Sequence, residues 1–497
     1  MAISPDKAHW HRLATEIRPE GRAFIGGAYV EAASGATLES IDPATGRIVG
    51  RITDGGAEDI DRAVRAARAA FDSGIWSGMS PSDRGRRLIR FADLVEKHAE
   101  ELALLETLDV GKPISDSLSI DLPLSITCLR WYGEAVDKIY DEIAPTAGTA
   151  VAMMRRAPLG VVAAVVPWNF PLMMACWKIA PILAAGNTVI LKPAEQSSFT
   201  AIRIAALAVE AGIPEGVLNV VPGRGEVTGR ALGLHMDVDC VAFTGSTEVG
   251  KYFMQYSGQS NLKRIGLECG GKSPNIIFAD APDVKAAATA AAWGLFYNQG
   301  EVCNAGSRVL VEEAVRDEVV EIIIETGRNM RQGDPLDPET QLGAMVDQKQ
   351  AERVMDYIAI GQQEGARLAA GGNLHRDGPC FIEPTVFDGV RNDMRIAQEE
   401  IFGPVLSVLP FRDEAEAIRI ANDTIYGLAA GLWTRDLNRS FRVSQKLQAG
   451  VVWVNCFDHG HISSPFGGFK QSGFGRDKSL HALDKYTDIR TTWINLG

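Results

Sequence analysis

Paired cysteines are missing from this 497-residue sequence: the seven present, at 128, 176, 240, 269, 303, 380 and 456, form an odd set with no close pair. Such spacing excludes a disulfide framework and fits a reducing compartment, so a cytoplasmic protein is expected. An excess of basic charge is missing too. The 63 acidic and 50 basic residues give a net charge of −13, which disfavours nucleic acid and anionic membrane surfaces as partners. There are no internal repeats, low-complexity tracts or proline-rich linkers, and Met1-Ala-Ile-Ser-Pro-Asp-Lys7 lacks the apolar run of a secretory signal. Leu159 to Trp177 carries no charge over 19 residues, but Pro167, Asn169 and Pro171 interrupt it. A lipid-facing helix would tolerate that trio poorly, so a buried strand, a loop and a helix start are expected there.

What is present is a soluble globular composition, 46% hydrophobic and 23% charged. At about 150 residues per domain the length predicts two to four domains. Ile60, Val64, Ala67 and Phe71 recur at helical spacing, and a second helical region is predicted from Arg84 to Leu108, stopping at Gly111-Lys112-Pro113. From residue 159 the rhythm changes. Short apolar runs at 160–166, 187–192, 216–221 and 240–243 alternate with helical stretches, and the alternation resumes after 272. That pattern predicts an α/β fold with two parallel-sheet units and a seam near 268–272.

Several stretches invite a chemical reading. Gly266-Leu-Glu-Cys-Gly-Gly-Lys-Ser273 fits the Walker A pattern, but Pro274 and an apolar strand-like run follow it, and Glu268 would repel a triphosphate. A P-loop phosphohydrolase is therefore the remote alternative. Gly223-Arg-Gly225-Glu-Val-Thr-Gly229 is one residue too long for the dinucleotide fingerprint. Phe243-Thr-Gly-Ser246 ends a strand where a helix begins, so its amides either bind a pyrophosphate or form an ordinary N-cap. Cys303 lies in the polar, glycine-rich Asn298-Gln-Gly-Glu-Val-Cys303-Asn-Ala-Gly306, a junction from which a thiol can be reached and activated. Isolated cysteines are commonly inert, so this reading needs company. Glu268 reads as an acid in a close-approach glycine loop or as a turn carboxylate, and Asn169 as an oxyanion donor or as a satisfied turn asparagine.

Seven motifs occur in order: Pro167-Trp-Asn-Phe-Pro171, Leu191-Lys-Pro-Ala-Glu195, Phe243-Thr-Gly-Ser246, Leu267-Glu-Cys-Gly-Gly-Lys272, Gly300-Glu-Val-Cys303, Glu399-Glu-Ile-Phe-Gly-Pro404 and Pro465-Phe-Gly-Gly-Phe-Lys-Gln-Ser-Gly473. Together they make the chain resemble the NAD(P)-dependent aldehyde dehydrogenase superfamily over essentially its whole length. The resemblance implies two Rossmann-like parallel-sheet domains and a small β oligomerisation element. These divide as an NAD-binding domain at 1–128 and 159–267, a catalytic domain at 268–485, and the oligomerisation element at 129–158 and 486–497. It also implies oxidation of an aldehyde to its acid with NAD and water. In that chemistry Cys303 is the nucleophile, Asn169 and the Cys303 amide stabilise the oxyanion, and Glu268 activates water against the thioester. Relatives that pass the acyl group to coenzyme A typically lack the glutamate, so its presence favours hydrolysis.

By the family pattern Trp168, Lys192, Glu195, Gly225, Gly229, Phe243, Gly245, Ser246, Gly270, Glu400 and Phe402 border the cofactor. A carboxylate at 195 would repel a 2′-phosphate, which favours NAD over NADP. Lys178 matches a family lysine of a proton relay, whose usual acidic partner is here Asp477, one methylene short. The run 466–483 resembles the branch handling ω-aminoaldehydes of polyamine breakdown, including γ-glutamylamino aldehydes. Asp121, Trp177, Asp458 and Phe466 are its implied substrate residues, with Asp121 and Asp458 either at the tunnel mouth attracting a cationic tail or simply solvated loop carboxylates. His461 stands where that branch is expected to carry an acid, so general aliphatic or aromatic aldehydes stay open. His459-Gly-His461 lacks a third ligand, and no metal is expected. A homotetramer built as a dimer of dimers is the implied assembly, and a non-catalytic structural relative is the remaining rival.

Overall fold

The computed structural model describes residues 6–497; the secretory-signal expectation at the first residues falls largely on positions outside that range. The described residues build two large sheets and two small ones. In the first large sheet the parallel strands run, side by side, Arg264–Cys269, Cys240–Gly245, Val161–Val165, Thr188–Lys192 and Leu218–Val220, with short antiparallel strands at both edges. The order reverses about Val161–Val165: the next two strands in sequence lie to one side and the following two to the other. That reversal opens a crevice beyond the carboxyl ends, where ligands of doubly wound sheets bind.

The strands form where the apolar runs predict them. All five residues of Val161–Val165 are buried, as befits a strand covered on both faces. Pro171 then starts helix Pro171–Ala184, so the uncharged stretch 159–177 is strand, loop and helix. No helix among the described residues is long and apolar enough to cross a membrane. Gly266–Ser273 is strand to Cys269 and then a crossing, and the strand Pro274–Ile277, where a Walker loop requires a helix, follows it. The predicted helix 84–108 is instead two helices, Pro81–Lys97 and Ala99–Val110, broken at His98, whose ψ of 21° leaves the helical range.

The second large sheet is parallel through Thr385–Asp388, Val405–Phe411, Arg308–Glu312, Pro274–Ile277, Ala429–Trp433 and Val451–Val454. Its strand Pro274–Ile277 follows Arg264–Cys269 after four residues, so the chain steps from one sheet to the other at 270–273. A three-stranded antiparallel sheet joins Thr487–Asn495, Ala150–Pro158 and Glu142–Ala144, with nine residue pairs between the first two. One face carries Ile489 and Trp493 well exposed, and Ile143 is well exposed on the other. Helix Leu122–Ala135 runs unbroken through residue 129, so a division at 128/129 would cut a helix; pairing of Gly473–Phe474 with Arg264–Cys269 likewise ties the later segment back to the first sheet. The hairpin Thr37–Ile41 with Ile48–Thr53 has no counterpart in the sequence reading.

Candidate active site

The carboxyl ends of the first sheet bring the separate motifs together. Trp168 and Asn169 follow Val161–Val165, Lys192 ends Thr188–Lys192, Gly245 ends Cys240–Gly245, and Glu268 is the penultimate residue of Arg264–Cys269. Opposite them the second sheet presents amino ends, with Cys303 just before Arg308–Glu312 and Glu400 just before Val405–Phe411.

The approach to Cys303 is strained. Asn298, Gln299 and Gly300 have φ of 48°, 56° and 75°, three consecutive residues in left-handed conformation. Non-glycine residues adopt it at a cost of about 1–3 kcal/mol each, so something must hold them. The holders are buried side chains. Gln299 accepts from the Gly343 amide at 2.9 Å, Asn298 donates to the carbonyls of Asn169 and Glu301 at 3.2 Å each, and Glu301 accepts from the Val346 amide at 3.0 Å. The polar run that reads as an accessible junction is thus mostly a buried scaffold, with only Cys303 left half-buried at its end. Asn169 Nδ2 donates to the Glu301 carbonyl at 2.8 Å. An amide nitrogen has two hydrogens, and one remains for another acceptor.

Acids crowd the thiol. Burial raises the Cys303 pKa, and the carboxyls of Glu400, Asp458 and Glu268 raise it further. Glu268 is itself buried, with neither carboxyl oxygen hydrogen-bonded. Its carboxyl is pushed up to about 8 by burial and then by Asp477. Lys178 is fully enclosed and meets Asp477 directly, while Lys485 takes the other oxygen of the same carboxylate. The shorter aspartate therefore still reaches the lysine, because a second cation holds it in place.

The cofactor candidates sort by position. Trp168 and Phe402 meet edge to face at 5.2 Å. Lys192 is buried, donates to the Pro193 carbonyl at 2.9 Å and lies 3.5 Å from the Glu195 carboxylate. Gly225 has open space where a side chain would stand, and Gly229 has nearly as much. Ser246 caps helix Thr247–Gln259, accepting from Val249 at 3.3 Å, so the capping alternative holds whether or not an anion binds there. Phe243 is buried against Phe253 and lies under Gly245, whose missing Cβ leaves room for its ring; it supports the turn and does not face the cleft. Thr244, passed over in the sequence, has a buried hydroxyl with no partner. A Cβ at Gly270 would run into the Glu400 carboxylate, which accepts from the Gly271 amide at 3.1 Å. An unsatisfied hydroxyl, an open strip over Gly225 and a carboxylate seated over a glycine fit a dinucleotide lying across the switch point.

A cavity of about 580 Å³ reaches Cys303 from the other side. Trp177 and Phe466 meet in its wall at 5.4 Å between ring centres, and Asp458, Lys478, His459 and His461 line it too. Asp458 is solvent-exposed, yet it sits in a concave wall that crowds its carboxyl from most sides and raises it. Asn304 donates to one of its oxygens at 2.6 Å. His461 is exposed and bonds Ser463 at 2.8 Å. The described residues contain no group of three or more His, Cys, Asp or Glu placed to hold a metal.

Asp121 must be corrected. It is fully buried, paired with Lys112, and close to Glu106, whose own carboxyl is raised well above the usual range by burial and by the Asp121 charge. The adjacent residues Ile120 and Leu124 line the cavity instead. The wide helical turn Ser117–Asp121 points this carboxylate inward, so it cannot greet a cationic substrate. Lys112 in turn lies 4.2 Å from the centre of the Phe170 ring, beside Asn169. Nothing in the sequence distinguished this buried ion pair from solvated loop charges.

These contacts lead to comparison with known proteins. The sequence profile described as the aldehyde dehydrogenase family matches residues 29–492. The chain is 51% identical over 489 residues to the NADP/NAD-dependent aldehyde dehydrogenase PuuC of Escherichia coli K12, covering 98% of each. It is similar to a crystal structure of an indole-3-acetaldehyde dehydrogenase in complex with NAD+, with 57% identity, TM-score 0.98, and 99% and 100% of the two chains covered. A γ-glutamyl-γ-aminobutyraldehyde dehydrogenase from Burkholderia cenocepacia is also similar, with 53% identity, TM-score 0.97 and the same coverage.

Two glycine substitutions should separate the two sides of the site. Gly270→Ala displaces only the flexible Glu400 carboxylate, so dinucleotide Kd measured by fluorescence should rise about tenfold, ~1.4 kcal/mol, in a normally folded protein. Gly271→Ala puts a Cβ 2.7 Å from the Cys303 carbonyl oxygen, which is backbone. Its kcat should fall at least tenfold with dinucleotide affinity little changed. Lys112→Met leaves Asp121 and Glu106 buried without their cation and should cost about 3–5 kcal/mol in urea denaturation.

Proposed function

The chain belongs to the aldehyde dehydrogenase family, and from that premise we propose how its residues divide the oxidation of an aldehyde to a carboxylic acid. The single observation that carries the proposal is Cys303, half-buried at the end of the cavity, with Asn169 fixed through the neighbouring Glu301 carbonyl and unpaired Glu268 among its nearest acids. As its thiol proton passes to solvent in the cavity, Cys303 Sγ attacks the aldehyde carbon, and the tetrahedral adduct then loses the former aldehyde hydrogen as hydride. The spare Asn169 N–H and the Cys303 amide donate to the oxygen as charge develops on it. Bound NAD supplies the two-electron acceptor. The acyl group remains on Cys303 as a thioester, and Glu268 takes the proton of the water that hydrolyses it. Lys178, Asp477 and Lys485 form a line of charge leading away from Glu268, suited to carrying that proton outward.

Trp168, Lys192, Glu195, Gly225, Gly229, Gly245, Ser246, Gly270, Glu400 and Phe402 hold the dinucleotide in this reading, and Phe243 supports it from beneath. NAD is preferred to NADP because the Glu195 carboxylate suits ribose hydroxyls and opposes a 2′-phosphate; Lys192 at 3.5 Å softens that opposition. The division into dinucleotide-binding, catalytic and oligomerisation parts, and a homotetramer built through the three-stranded sheet, with Ile489 and Trp493 exposed on one face and Ile143 on the other, belong to the same proposal.

The preferred substrates are ω-amino or γ-glutamylamino aldehydes, with Asp458 as the acid facing the tail. The PuuC and γ-glutamyl-γ-aminobutyraldehyde dehydrogenase likenesses support this. A second reading, an apolar or aromatic aldehyde, is favoured by the Trp177 and Phe466 wall and by the indole-3-acetaldehyde dehydrogenase likeness.

Cys303→Ala should abolish NADH formation and leave NAD binding intact. Glu268→Gln should release one burst of NADH and then stall; steady cycling at the wild-type rate would assign the base elsewhere. Glu268 acts only when ionised, and its carboxyl is pushed up to about 8. Turnover should therefore rise as pH increases through that value, and Glu268→Gln should remove the rise. The substrate readings separate in a comparison of 4-aminobutanal with butanal: a kcat/KM advantage for the amine that Asp458→Asn erases supports the charged tail, and an equal or reversed preference supports the apolar one.

A further inference from the structure

Lys478 lines the same cavity as Cys303, yet the sequence reading passed over it and the chemistry above does not use it. Its backbone is held in the left-handed conformation, φ 61°, at a position with a full side chain. Its ammonium lies 5.3 Å from the centre of the Trp177 ring and against Gly460, where a Cβ would stand 3.2 Å from Nζ. Among the described residues no hydrogen bond or ion pair engages it. The neighbouring acid, Asp477, is already held on both oxygens by Lys178 and Lys485. Asp458 has one oxygen on Asn304 and the other without a protein partner. The cavity wall thus carries an available cation and an available carboxylate oxygen, set in largely aromatic surroundings.

We infer that Lys478 is a specificity-determining residue that binds a carboxylate at the far end of the aldehyde, so that with Asp458 it selects a tail bearing both an ammonium and a carboxylate, an amino-acid head group. This rests on the aldehyde dehydrogenase reading and narrows its substrate class. A simple ω-amine would satisfy Asp458 but would place a second cation in a cavity that already holds the Lys478 ammonium. A plain aromatic aldehyde would leave both charges facing apolar surface, where neither regains the water it lost. A zwitterionic tail satisfies both, and its methylene chain lies along Trp177 and Phe466. Asp477 and Lys178 also differ from Lys478 in burial: they are closed off from solvent, whereas Lys478 is half-exposed to the cavity and able to exchange water for a ligand.

The test uses the full-length enzyme with NAD and four aldehydes: butanal, 4-aminobutanal, succinic semialdehyde and γ-glutamyl-4-aminobutanal. The wild type should show its highest kcat/KM with the γ-glutamyl compound. In Lys478→Gln the kcat/KM ratio of the γ-glutamyl compound to 4-aminobutanal should fall about tenfold, chiefly through KM, and Lys478→Arg should restore most of it. A ratio unchanged in Lys478→Gln, with NAD Kd as in the wild type, overturns the inference and leaves the dehydrogenase standing. NADH from none of the four aldehydes overturns the dehydrogenase reading and the inference with it. A measurement without variants stands beside these: glutarate should inhibit wild-type butanal oxidation competitively and 1,5-diaminopentane should do so at least tenfold more weakly. The reverse order overturns the inference.

Discussion

The site depends on the four residues by which the chain passes from one sheet to the other. Glu268 and Cys269 close the strand Arg264–Cys269, and Pro274 opens Pro274–Ile277 in the second sheet. Between them Gly270 lies against the Glu400 carboxylate and Gly271 against the Cys303 carbonyl, each closer than a side chain allows. The absence of two Cβ atoms thus holds Glu268, Glu400 and Cys303 at fixed separations. The exit is pinned as well. Arg308, fully buried, donates to the Lys272 carbonyl at 3.0 Å and reaches the carbonyls of Ile420 and Ala421. A buried guanidinium satisfied mainly by carbonyls resists movement, because any shift strands a charge in a medium that cannot solvate it.

The second constraint is the left-handed run before Cys303. Its conformational cost is offset by amide and carbonyl partners that are themselves buried, and the same bonds fix Asn169 through Glu301. Oxyanion stabilisation depends on donors that need no reorganisation when charge appears. Strain and hydrogen bonding therefore serve one end here: the loop is held rigid around a half-buried thiol.

How much of this was legible in the sequence follows from what each signal measures. Apolar runs report burial on both faces, so the parallel strands at 161–165, 188–192 and 240–245 stood where expected, as did the helix opening at Ser246. The seven ordered motifs identified the family and the reaction. A charged residue's burial has no such signature. Asp121, read as a mouth carboxylate, is enclosed because one wide helical turn rotates it away from the cavity and Lys112 neutralises it. Lys478 is the converse case, a lysine in a glycine-rich stretch that resembles a solvated loop charge until the fold sets it beside Trp177. The break at His98 was hidden because both helices flanking it continue an apolar pattern. Asn298, Gln299 and Glu301 looked exposed because polar composition gives no hint that backbone partners await each side chain.

Charge balance ties these pieces together. Burial first, and then the carboxyls of Glu400, Asp458 and Glu268, push the Cys303 thiol up and favour its protonated form. A thiolate at this position is favoured by positive charge close by, and two of the candidate sources are already engaged: Lys178 and Lys485 share Asp477, so that triad adds one net positive charge behind Glu268. Lys478 is a further cation, on the substrate side, and its interaction with Asp458 draws that carboxyl back down. A substrate that engages both groups would cover Asp458 and Lys478 together, one acid and one cation, and so keep the balance of charge about the thiol. Tail recognition through these two groups then acts on binding, and the charge set by Glu268, Glu400 and the buried triad is left to govern the thiol.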